Sequence, residues 1–146
     1  MTGSDQPHAT KGACLCGAVT FSVTLKNQHV DACHCDMCRS WCAGPFMGVA
    51  CDGGPVFEDD GALGVYRSSE WAERLFCKSC GASLFYRTIE GGYIIAAADA
   101  VDLSDAAEFT LQVFIDEKPG YYAFANATKM MTAQECFDAF AAGQDE

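Results

Sequence analysis

Short runs of alternating or continuous apolar residues dominate the chain. They are Val19 to Leu25, Pro45 to Ala50, Leu63 to Tyr66, Glu73 to Cys77, Ser83 to Thr88, Tyr93 to Ala98 and Leu111 to Ile115. Gly, Asp and Pro separate them, as in "CDGGP", "DDGA" and "IEGGY". Short runs rich in β-branched and aromatic residues, bounded by turn formers, predict strands. The pattern therefore predicts a mainly β, mostly antiparallel domain. The clearest helix lies near the end, in "MTAQECFDAFAAG". There Thr132 caps the first turn, Glu135 completes a capping box, and Gly143 suits the C-terminal stop. Cys136, Phe137 and Phe140 share a face that is expected to pack on a sheet.

Composition sharpens this picture. With 146 residues, half of them apolar, the chain is long enough for one domain with its own core. Residues 1–11 carry no apolar segment or cleavage pattern and read as a flexible N-terminal tail, with a single domain over 12–143. No apolar run approaches the roughly 20 residues of a membrane span, so the expected location is cytoplasmic. A formal net charge of −11 argues against nucleic-acid and anionic-membrane surfaces, which need clustered Lys and Arg.

Ten cysteines change the question. In a reducing compartment, cysteines at short spacings are metal ligands more often than disulfides. Seven fall into three groups: Cys14 and Cys16, Cys33, Cys35 and Cys38, and Cys77 and Cys80. Seven ligands suggest two ions. Gly17 and Gly81 each follow the second cysteine of a pair, where a glycine lets the backbone turn and aim amides at the sulfurs. Two such knuckles facing one another make a closed, structural tetrahedral site, for which zinc is the expected metal. The triplet ends in Arg39 instead. Three thiols with a vacancy are the pattern of a catalytic zinc. Cys42, Cys51 or His34 as a fourth ligand remains open from spacing alone.

Three thiolates outweigh the charge of a divalent ion, which makes it a weak water activator. Such a site suits an incoming thiol that binds as thiolate and attacks a small electrophile. Iron–sulfur spacings are absent, and a thioredoxin-like reading of either C-x-x-C lacks its βαβ context. A Cys–His pair would need His8, His29 or His34, none compellingly placed. Arg39 and Arg74 are candidates for a substrate carboxylate or for structural ion pairs. Trp41, Phe46 and Trp71 are candidates for a pocket wall or for the core.

The segments "GACLCGAVTF", "CHCDMCR", "AGPF", "YRSSEWAERLFCKSCGASL" and "VFIDEKPGYYAF", in that order, resemble the glutathione-dependent formaldehyde-activating enzyme family, which includes the centromere protein V-like proteins. The resemblance runs from about Gly12 to Phe140. It implies a zinc-bound, tent-like antiparallel β sandwich with a short C-terminal helix. It also implies two zinc ions: a structural one on Cys14, Cys16, Cys77 and Cys80, and a catalytic one on Cys33, Cys35 and Cys38. The implied activity is that of a carbon–sulfur lyase joining a thiol, glutathione, to a small aldehyde such as formaldehyde, or the reverse. The alternative function is a non-catalytic zinc module for protein interaction or metal trafficking. Two features depart from the family pattern: Gln112 stands where members often have His, and "AFANATK" replaces an often acidic stretch.

Overall fold

A computed structural model describes residues 3–143. Its contacts gather into two compact units. The first comprises residues 3–28 with Val49–Ala107, and the second His29–Gly48 with residues 108–143.

In the first unit, β1 (His8–Ala13) pairs antiparallel with the start of β2 (Thr20–Cys33), from His8 opposite Leu25 to Ala13 opposite Thr20. Strand β3 (Phe46–Cys51) lies between β2 and β8. Strand β4 (Val56–Asp59) pairs antiparallel with β2. Strands β5 (Leu63–Arg67), β6 (Ala72–Cys77), β7 (Ser83–Thr88) and β8 (Ile94–Ala97) form an antiparallel meander. The period-2 pattern decides the inner face: Phe21, Val23 and Leu25 of β2 are buried, while their neighbours are less so. Phe21 meets Phe85 edge-on at 4.8 Å, with Leu75 and Leu84 also fully enclosed. Gly12 is required where β1 crosses this core. A Cβ there would lie 2.4 Å from the Phe21 ring and from the Ala100 carbonyl.

Strand β1 begins inside the stretch read as a tail. "HATKGA" has no apolar alternation for a pattern reading to detect. Its order comes from pairing with β2 and from the Asp102 carbonyl, which accepts from Thr10 Oγ1 at 2.7 Å and lies 3.0 Å from His8 Nε2.

In the second unit, β9 (Glu108–Val113) runs parallel to the end of β2, and β10 (Lys129–Met131) runs parallel to β9. The expectation of an antiparallel sandwich is thus met only in part: the fold is mainly β, but its sheet is mixed. A parallel pair cannot be joined by a hairpin. The chain between β9 and β10 must cross over, and this crossover, residues 114–128, supplies several partners of the site described below.

Two helices complete the unit. Helix α2 (Ala133–Ala141) carries the expected capping box between Thr132 and Glu135, and Gly143 follows it at φ 75°. Cys136 and Ala139 pack against Leu111, Val113 and Met131. Phe137 and Phe140 are 56% and 61% exposed, so the apolar face predicted for this helix is buried only along one edge. Helix α1 (Asp36–Cys42) was not expected. Among the described residues no helix is long and apolar enough to cross a membrane.

Candidate functional site

The seven clustered cysteines assemble into two groups, each lying within one unit. Among the described residues, Cys14, Cys16, Cys77 and Cys80 form one, and Cys33, Cys35 and Cys38 the other. Within each group all sulfurs lie within 4.8 Å of one another, close enough to share a metal ion.

The four-thiol group is built from two matching turns. Gly17 and Gly81 both sit at φ 80°, the left-handed conformation that glycine adopts without cost. Their amides donate to the carbonyls of Cys14 and Cys77 and close each turn at 3.2 and 2.8 Å. The turns aim further amides at sulfur: Val19 N donates to Cys14 Sγ at 3.3 Å, and Cys80 N to Cys77 Sγ at 3.4 Å. Cys16 Sγ lies 3.7 Å from Cys14 Sγ and 3.8 Å from Cys77 Sγ, although 61 residues separate Cys16 from Cys77. The electrostatics suit a cation. Backbone amides of Ala82 and Cys16 pull Cys80 down to about 6. Burial works against ionisation of Cys14, yet the Val19 amide and the bonds from Cys77 and Cys16 leave it below its usual value. Cys16 receives an Ala18 amide bond, but desolvation and its three neighbouring thiols outweigh this and push it up to about 11.

The three-thiol group has a different frame. Cys33 ends β2, and Cys35 is the N-cap of α1, its Sγ accepting from Cys38 N at 3.3 Å. The C-x-x-C segment is therefore the first turn of a helix. That helix stops at Ala43, which takes φ 59°, while Gly44 N donates to the Arg39 carbonyl. The signal missed in the sequence is the run Cys38, Trp41 and Cys42 at helical spacing, hidden because ligand spacing alone predicts a turn. The Cys35 and Cys38 thiols, then burial, raise Cys33 far above its usual value. Cys35 gains from Cys33, but Cys38 and burial outweigh that gain and raise it too. Three thiols so crowded resist ionising together, and a divalent cation would supply the missing positive charge. The donor set fits zinc.

The fourth-ligand candidates lie outside this group. His34 is fully buried, with Nδ1 at 2.8 Å from Tyr122 Oη and Nε2 at 2.8 Å from Gln112 Oε1. Both ring nitrogens are thereby engaged, and burial holds the ring below its usual pKa. Cys51 belongs to the first unit, where Val49 O accepts from its thiol. Cys42 follows Cys38 by one helical turn and is not drawn into the group.

The two candidate arginines differ in their surroundings. Arg39 Nε donates to the His34 carbonyl at 2.9 Å, and Arg74 is buried with its guanidinium over the Tyr86 ring. Phe46 is buried, whereas Trp71 is 62% exposed and lines no core. Three residues of the site were not singled out as site residues in the sequence. Gln112 and Tyr122 hold His34, and Glu117 Oε1 accepts from Asp36 N at 3.1 Å. The run "DEKP" with "YY" after it was the trace of Glu117 and Tyr122, and Gln112 stood out only as a departure from the family pattern.

Comparison with known proteins agrees with this architecture. An uncharacterized lyase from Schizosaccharomyces pombe is 39% identical over 127 residues, covering 86% of this chain and 92% of that protein. A crystal structure of a Rhodobacter sphaeroides protein shares the fold, with a TM-score of 0.55 at 20% identity over 65% of this chain and 90% of the other. Residues 9–117 match the family model described as glutathione-dependent formaldehyde-activating enzyme. The chain belongs to that family.

Proposed function

We propose that the chain is a zinc-dependent carbon–sulfur lyase that joins a thiol, glutathione, to a small aldehyde such as formaldehyde, or cleaves the adduct. The single observation that carries this reading is the three-thiol group, whose neighbouring imidazole has both nitrogens committed elsewhere. Three protein ligands leave room for an external one. In this reading Cys33, Cys35 and Cys38 are the catalytic zinc ligands, and Cys14, Cys16, Cys77 and Cys80 hold a structural zinc. Bound zinc would supply a positive centre that keeps an incoming thiol as thiolate near neutral pH, below the roughly 8.5 of a free thiol.

The chain's own residues set the conditions. The crossover loop and β9 keep His34 from competing for the ion, and the first turn of α1 holds Cys35 and Cys38 in register. In the forward reaction a carbon–sulfur bond forms, the carbonyl π pair moves to oxygen, and the thiol's proton ends on that oxygen. The reverse returns the proton to sulfur as the bond breaks. The S. pombe relative is described as a lyase, which supports the reaction class, and a cytoplasmic location is part of the same proposal.

The test uses cobalt in both sites as a spectroscopic probe. Glutathione should shift the bands of one metal and leave the other unchanged, and the zinc protein should accelerate formation of the glutathione–formaldehyde adduct. A spectrum indifferent to glutathione would favour a non-catalytic zinc module instead.

A further inference from the structure

Every polar atom of His34 is engaged within the second unit. Its amide donates to the Val113 carbonyl at 3.1 Å, and its carbonyl accepts from Arg39 Nε at 2.9 Å. Its ring lies between Tyr122 Oη and Gln112 Oε1, each at 2.8 Å. Gln112, itself buried, continues the chain by donating from Nε2 to Thr128 Oγ1 at 3.0 Å. The four side chains come from three places: the cysteine loop, β9, and the crossover between β9 and β10.

The chemistry of the groups orders the protons along this chain. A neutral imidazole carries one donor and one acceptor. An amide oxygen only accepts, so Nε2 carries the proton. Nδ1 then accepts, and the Tyr122 hydroxyl donates to it. A Gln112 amide turned over would reverse both bonds, because Thr128 can serve either role.

We propose that His34 is the positioning residue of the three-thiol group: Gln112 fixes its tautomer, Tyr122 holds its other nitrogen, and the pinned ring sets how Cys33 and Cys35 present their sulfurs. The inference rests on the reading of that group as a metal site. Its physical basis is the short chain path: Cys33 and Cys35 flank His34 directly, so the bonds that fix its ring, amide and carbonyl also restrict the backbone from which both cysteines project. A buried, satisfied polar network has one arrangement, whereas an apolar side chain in its place would leave the loop several.

Two measurements test it. Long-range proton–nitrogen NMR on the zinc-loaded protein should find the His34 proton on Nε2, and a proton on Nδ1 would overturn the role of Gln112. Cobalt titration resolving the two sites should then show Tyr122→Phe and Gln112→Met weakening the three-thiol site about 10- to 100-fold, the range for lost outer hydrogen bonds. The four-thiol site should keep its affinity. Gln112→Glu preserves an acceptor oxygen toward Nε2 and should retain most of the binding. A loss as large as that of Gln112→Met would assign the effect to packing and overturn the tautomer role. Unchanged affinity in both Tyr122→Phe and Gln112→Met would overturn the positioning role. If Gln112→Met does not fold, Tyr122→Phe decides alone, since it removes one hydroxyl from a half-buried ring. A wild-type protein that loads only the four-thiol site would instead sink the proposed function, which separates the two failures.

Discussion

Three cysteines lie outside the two groups, and their surroundings give each a different character. Cys136 packs beside Leu111, Val113 and Met131 as a small apolar side chain. Cys51 is buried, and desolvation pushes its thiol up to about 12 despite an amide bond from Ala96 and the charge of Lys26. A folded-state pKa above the unfolded value stabilises the fold fully below about pH 8.5 and progressively less as pH rises through the folded value. The protein should therefore lose stability between about pH 9 and 12, and Cys51→Val should lose less over that window. Urea unfolding of both proteins across this range checks it, and parallel declines would refute the assignment. Cys42 sits one turn beyond Cys38 on α1. Under cobalt loading, Cys42→Ser should keep both metals and the glutathione response, while Cys38→Ser should lose the response with the fold retained. Loss of the second metal in Cys42→Ser would make Cys42 a ligand.

At the scale of elements, the turn Ile115–Glu117 links both helices of the second unit. Asp116 Oδ1 accepts from Ala133 N at the start of α2, and Glu117 Oε1 accepts from Asp36 N at the start of α1. Lys118 then donates to the carbonyls of Pro119 and Tyr122 and lies over the Tyr122 ring. Each carboxylate satisfies an amide with no helical partner, a contribution of about 0.5–2 kcal/mol. Glu117→Ala should thus loosen the first turn of α1 and lower metal affinity at the three-thiol site about tenfold. Glu117→Gln keeps the acceptor and should restore it, whereas Asp116→Ala should affect stability only. Equal losses in all three variants, read by site-resolved cobalt titration, would argue against this division. These contacts also show what a sequence reveals. The knuckles and the capping box were legible because local backbone chemistry demands Gly17, Gly81, Thr132 and Glu135. The strands with apolar alternation were legible for the same reason. Strands β1, β4 and β10 were not, being short or mostly polar, with order supplied by their partners. Nor was the tie between Glu117 and Asp36, whose residues stand 81 apart and meet only through the fold.

For the molecule as a whole, charge and metal are coupled. Seven bound thiolates against two divalent ions would add about three negative charges to a formal −11. Metal binding must displace thiol protons, so apparent affinity falls as pH falls. The two sites should respond unequally. The four-thiol group would hold its ion with one more ligand, and its turns direct backbone amides at Cys14, Cys77 and Cys80. An ion on the three-thiol group would complete its shell from solution and have fewer bonds to lose before departing. Acid titration of the zinc-loaded protein should release metal in two steps, the first from Cys33, Cys35 and Cys38 with the first unit still folded. The second step should coincide with unfolding of that unit, because an ion on the four-thiol group would join segments 61 residues apart and structural zinc contributes directly to folding. Cys80→Ser should bring this second transition to neutral pH, or prevent folding, while leaving the early step's zinc uncoupled from it. A chelating dye records release, and circular dichroism records the fold. Release of both ions in one step together with unfolding would mean that the two sites are not energetically distinct.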